Sequence, residues 1–182
     1  MAARIERYAA DEAAQLGWGG ALGALLYGQA ASAAALGGRV GASGLASGGG
    51  LVFLLGDLGA GKTTLVRGLL RGLGHRGPVR SPTYTLVESY ELPAGRVHHL
   101  DLYRIADPDE VEFLGIRDLL GDASLVLVEW PERGSGVLPS PDLTVDIAHC
   151  GEGRLLAFDA RPAWQLALAT GLSSAPPPPP AA

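Results

Sequence analysis

Between residues 51 and 74 the sequence changes character twice, and the changes leave little freedom for the fold. LVFLL, 51–55, is an uninterrupted apolar run of strand length, as expected of a strand buried on both faces. It opens directly into GDLGAGKTT, 56–64, where Gly56, Gly61, Lys62 and Thr63 match G-x-x-x-x-G-K-[ST] in full. From Thr64 to Leu73, Leu65, Leu69 and Leu73 fall on one side of a helix that Gly74 caps. Strand, glycine loop and helix in this order are the context of a phosphate-binding loop. They predict an α/β chain with a P-loop NTPase-like three-layer fold around a mostly parallel central sheet.

Lys62 sharpens the reading. Thirteen of the fourteen basic side chains are arginines, and the only lysine is the one inside the motif. Glycines let successive backbone N–H groups turn inward around phosphates, and the following helix adds the positive end of its dipole. An ammonium on a flexible stem reaches into that ring of amides, whereas a planar guanidinium does not fit there. Thr63 is expected to place its hydroxyl on a magnesium ion bridging the outer phosphates. A second metal ligand has to come from the carboxyl end of a neighbouring strand. RVHHL (96–100) and SLVLV (124–128) read as two such strands, each followed by an acid, Asp101 and Glu129. Glu129 is the better candidate because its apolar run is cleaner. His98 and His99 point to opposite faces, so at most one can face the site, and metal ligation by either is not expected. Trp130 reads as a packing residue.

Two absences narrow the class. The chain contains no asparagine, so the Asn-Lys-x-Asp element that reads guanine is missing, and ATP becomes the expected nucleotide. After Glu132 only Arg133, Arg154 and Arg161 remain, too scattered for the arginine-rich lid of a small-molecule or nucleoside kinase. That alternative is retained but not favoured, whereas a nucleotide-gated binding module keeps the same phosphate loop and stays open beside an ATPase.

The rest of the chain supports one domain, residues 1–170, with a Pro/Ala-rich tail over 171–182 that cannot pack. Asp11 to Tyr27 reads as a helix, and the small residues from Gly28 to Gly50 as a flexible insertion. Asp107-Pro108-Asp109-Glu110 carries the cap and proline of a short helix ending at Gly115. LTVDIAHC and RLLAFDA read as a late antiparallel edge. The uncharged run 16–38 is too rich in Gly and Ala to insert into a membrane, and Arg4 and Arg7 are outweighed by Glu6, Asp11 and Glu12 before it. The single cysteine, Cys150, fits a reducing compartment, and a cytoplasmic location is expected. A formal net charge of −5 excludes gripping nucleic acid through bulk positive charge.

GDLGAGKTTLVRGLL, VRSPTYTLVESY, HHLDLYRIADPDEVEFLGIRDLL and LVEWPERGSGVLP, in this order, resemble the bacterial TsaE (YjeE) family of ATPases in tRNA threonylcarbamoyladenosine synthesis. The resemblance runs from about Leu51 to Ile147, and SPTYTL, HxDLYR and EWPE are its specific parts. It implies that Asp57, Leu58, Gly59, Ala60, Gly61, Lys62, Thr63 and Thr64 wrap the phosphates of ATP. It implies further that Thr63 and Glu129 hold Mg2+, that Asp101 organises the hydrolytic water or the metal's water shell, and that Lys62, Asp101 and Glu129 form the catalytic set. Ser81 to Leu86 would be a switch-like loop near the γ-phosphate, and Arg154 would flank the adenine. The implied partners are TsaB and TsaD homologues, with tRNA met only through their complex and no membrane. The chain departs from the family pattern in the 28–50 segment, in the polyproline tail, and at Ala13, where a threonine is common.

Overall fold

A computed structural model describes residues 4–35, 49–93, 95–121 and 124–172, with backbone alone over 28–35. The strands are β1 (Ile5–Ala9), β2 (Gly50–Leu55), β3 (Val87–Leu92), β4 (Gly95–Asp101), β5 (Leu125–Glu129), β6 (Leu143–Cys150) and β7 (Gly153–Ala160). They form one seven-stranded sheet in the order β1-β7-β6-β2-β5-β4-β3. The four central strands, β6, β2, β5 and β4, run parallel; β7 pairs antiparallel with β6 as expected, and β1, which the sequence did not announce, extends that edge on β7. A second antiparallel strand, β3, closes the far edge on β4.

The central strands are buried on both faces, and their side chains alternate between two cores. Val52, Leu54, Leu125 and Leu127 face the helices α1 (Glu12–Ala35), α2 (Lys62–Gly72) and α5 (Pro162–Gly171). Leu51, Val126 and Val128 face the layer of α3 (Glu110–Phe113), α4 (Ile116–Gly121) and the loops beside them. This is the three-layer arrangement expected from the sequence. Among the described residues no helix is long and apolar enough to cross a membrane.

The first helix differs from the expectation. It runs to Ala35, eight residues past Tyr27, because alanine-rich sequence favours helix even without an apolar face. Residues 36–48 of the expected insertion lie outside the described residues. The glycines that weakened the sequence signal are what α1 and α2 pack with. A Cβ on Gly19 would lie 2.2 Å from the Leu65 carbonyl oxygen, and one on Gly68 the same distance from that of Leu16. The helix expected from Asp107 to Gly115 is only the single turn of α3, although Glu110 Oε1 accepts from the Asp107 N–H at 2.9 Å as the cap signal requires. At the other end Leu172, placed in the tail by sequence, is buried after α5. Residues 173–182 lie outside the described residues.

Candidate nucleotide site

The parallel strands β2, β4 and β5 end at the same edge of the sheet, and each delivers one part of the site there. β2 runs into the loop 56–61, whose glycines take the left-handed conformations a side chain resists: φ is 134° at Gly56, 80° at Gly59 and 100° at Gly61. Gly56 is also fixed by space, since a Cβ there would lie 2.3 Å from the Ile147 carbonyl oxygen on β6. α2 then begins at Lys62, so its N-terminal amides open onto the loop. Lys62 is 4% exposed, and its Nζ donates to the carbonyl oxygens of Gly56 (2.6 Å) and Asp57 (3.0 Å). The ammonium also lies 3.9 Å from the centre of the Trp130 ring. Burial holds its pKa below the ordinary lysine value, an effect that Glu129, Asp101, Glu132 and Asp57 oppose.

Asp101 and Glu129 stand opposite each other at the ends of β4 and β5, both buried. Thr63 Oγ1 donates to Glu129 Oε1 at 2.8 Å, which brings the two expected metal ligands together. Asp101 Oδ2 accepts from Ser81 Oγ and from Thr83 Oγ1, the latter at 2.7 Å, and Oδ1 accepts from the Tyr103 N–H at 3.0 Å. The SPTYTL segment is therefore tied to the site through Asp101. Two non-glycine residues in the left-handed region flank the acids, Leu86 (φ 65°) and Trp130 (φ 57°). Conformations of this kind are strained and persist only where surrounding structure enforces them. Lys62, Thr63, Ser81, Asp101, Glu129 and Trp130 line one side or the other of a cleft of about 370 Å³. Trp130, expected to be a packing residue, is thus a wall of the cleft.

The Thr63 hydroxyl, the Glu129 carboxylate, the glycine loop that leads into α2 and the buried Lys62 ammonium suit Mg2+ and a nucleotide triphosphate. Among the described residues no group of three or more His, Cys, Asp or Glu side chains could hold a metal by itself.

The remaining expected residues fall around this centre. Leu58 and Gly59 are exposed at the crown of the loop, Ala60 is buried beneath it, and Thr64 follows Thr63 on α2. Arg154 lies on the outer side of the loop, where its Nε donates to the Ala60 carbonyl (3.1 Å) and its Nη2 to that of Gly59 (3.4 Å). Together with Asp11, Gln15 and Arg67 it lines a second cleft of about 350 Å³. Ala13 is exposed in the first turn of α1. Of the two histidines, His99 faces the site, and His98 turns to the other face to meet Ser89 Oγ at 2.7 Å. Sequence reasoning missed Gln15, which is buried against the loop and donates from Nε2 to the Gly61 carbonyl at 3.0 Å. A lone glutamine in a glycine-rich helix carries no signal that it will meet a loop 46 residues away.

A family model described as "Threonylcarbamoyl adenosine biosynthesis protein TsaE" matches residues 27–156. The chain belongs to the TsaE family. The match extends beyond the motifs at both ends, back to residue 27 and on to residue 156. Similar TsaE proteins include the tRNA threonylcarbamoyladenosine biosynthesis protein TsaE of Haemophilus influenzae, 55% identical over 111 residues, 61% of this chain and 70% of that one. The protein of the same name from Aquifex aeolicus is 46% identical over 85 residues, covering 46% of this chain and 59% of its own. In three dimensions the chain is similar to the crystal structure of Bacillus subtilus YdiB, with a TM-score of 0.64 at 25% identity over 93% of this chain and 94% of that one. Lys62, Asp101, Glu129 and Arg154 lie inside the TsaE match, whereas Gln15 lies outside it.

Proposed function

We propose that this chain is a Mg2+-dependent ATPase that supports threonylcarbamoyladenosine modification of tRNA together with TsaB and TsaD homologues. Family membership supports the pathway, and one contact supports the chemistry: Thr63 Oγ1 and Glu129 Oε1 meet at 2.8 Å at the foot of the phosphate-binding loop. Thr63 and Glu129 would hold the metal, which would offset charge on the outer phosphates. The amides of 56–61 and the start of α2 bind and orient the triphosphate, and Lys62 neutralises its outer oxygens. Asp101, within the same cleft, would orient a water, and its bonds to Ser81 and Thr83 would link that role to the SPTYTL segment. Among the described residues Lys62 is the only cationic side chain lining the cleft. A second cation near the transferring phosphoryl group can be worth about 10³–10⁵ in rate, so the isolated chain should turn over slowly. The same lining gives no support to a kinase with an arginine lid. Adenine contact by Arg154 is consistent with its place beside the second cleft.

The test is phosphate release from the isolated chain and with saturating TsaB–TsaD from the same source, followed by the yield of modified tRNA. Stimulation of both is expected. No acceleration and no effect on tRNA yield would sink the functional reading. Glu129→Ala should retain nucleotide binding through the loop amides while losing Mg2+-dependent hydrolysis. Loss on Asp101→Ala with none on Glu129→Ala would reverse the metal assignment.

A further inference from the structure

Behind the Glu129 carboxylate sits a side chain that the phosphate-loop motif does not require. His99 is fully buried on β4, next to the strand that carries Glu129 and two residues before Asp101. Its Nε2 meets Glu129 Oε1 at 2.9 Å, the same oxygen that accepts from Thr63 Oγ1. An ionised carboxylate only accepts, so the proton in this bond belongs to Nε2. The other ring nitrogen, Nδ1, is buried and has no hydrogen-bond partner among the described residues.

A buried polar atom without a partner is destabilising, and an apolar side chain at the same place would avoid the penalty. Apolar is what the neighbours are: Val97, two residues earlier on β4, and Leu127, opposite His99 on β5, are both buried in the core. The bond to Glu129 accounts for a histidine here. With a donor fixed on Oε1, the carboxylate keeps one orientation relative to Thr63. Partners of this kind, which hold a metal-binding carboxylate rather than the metal, commonly govern metal affinity.

We propose that His99 is a positioning residue that orients Glu129 for Mg2+, and that it sets the protein's magnesium requirement rather than its affinity for the nucleotide itself. The inference rests on the Mg2+-dependent ATPase reading above. It is tested by the binding of a fluorescent, non-hydrolysable ATP analogue to the full chain, once in EDTA and once across a Mg2+ titration. His99→Leu should bind the analogue like the parent in EDTA and need about 10–100-fold more Mg2+ to reach the metal-dependent affinity. His99→Gln, which offers an amide N–H in place of Nε2, should recover most of the loss. His99→Phe removes the donor and keeps a flat ring, and it decides the case if His99→Leu does not fold. An unchanged Mg2+ requirement without the donor, or an equal loss of binding in EDTA, overturns the inference. If the parent gains nothing from Mg2+, the ATPase reading falls and takes the inference with it. If parent and variants gain alike, only the role of His99 falls.

Discussion

Lys62 has to be compact, buried and charged at once. Lys62→Ala should abolish ATP binding with the fold intact. Lys62→Arg should be severely impaired, because the guanidinium would have to enter a space bounded by the carbonyls of Gly56 and Asp57 and the ring of Trp130. Binding and hydrolysis equal to the parent's in Lys62→Arg would refute this account of the lone lysine. The lowered pKa adds a pH dependence whose sign is fixed. Burial makes Lys62 lose its proton at a lower pH than an exposed lysine does, and a bound triphosphate favours the charged form. Affinity should therefore fall as pH rises through the lowered pKa, and binding above it should take up a proton. Calorimetry in buffers of different ionisation enthalpy reads that uptake directly. Lys62, Thr63, Asp101 and Glu129 were legible in the sequence because each has a local signature, a motif position or an acid after an apolar run. Gln15, the strained backbone at Leu86 and Trp130, and the bond that His99 of the HxDLYR motif makes to Glu129 were not, since each is defined by what a distant segment places against it.

At the scale of elements, the seam between α1 and α2 carries the alignment of the site, because α2 starts with Lys62 and Thr63, the two residues proposed to meet the nucleotide. Gly68→Ala would press a methyl group against the backbone of Leu16, 2.2 Å from its carbonyl oxygen, and backbone cannot turn aside as a side chain can. The expected destabilisation is about 1–3 kcal/mol, measured by denaturant unfolding, with a loss of nucleotide affinity as α2 shifts. Unfolding at the parent's denaturant concentration would mean that the two helices are not in close contact. Sequence periodicity could not show this seam, since it scores apolar side chains and the contact is made by their absence. The same limit explains the strands. β2 and β5 are continuous apolar runs and declare themselves, whereas IERYA and VESYEL, the edge strands β1 and β3, alternate with charged residues and have one neighbour each. Their pairing is set by β7 and β4 rather than by their own composition.

Taken whole, the molecule closes its sheet with α5, where Trp164 and Leu168 are buried in the same core as α1 and α2. Trp164 also occupies the space beside Gly50 at the start of β2, where a Cβ would lie 2.7 Å from the indole. Trp164→Ala should cost about 3–5 kcal/mol. Cutting the chain after Leu172 should leave the melting temperature close to the parent's. A large drop from that cut would show that residues 173–182 pack, and an unchanged melting temperature in Trp164→Ala would show that α5 does not. A final consequence comes from the lysine count. Apart from an α-amino group, these 182 residues hold one primary amine, and it is 4% exposed beneath an indole ring. An acylating reagent offered to the folded protein therefore finds a single internal address, and ATP would cover the same nitrogen. The mass added at Lys62, read by peptide mass spectrometry with and without nucleotide, becomes a native footprint of occupancy that needs no engineered label.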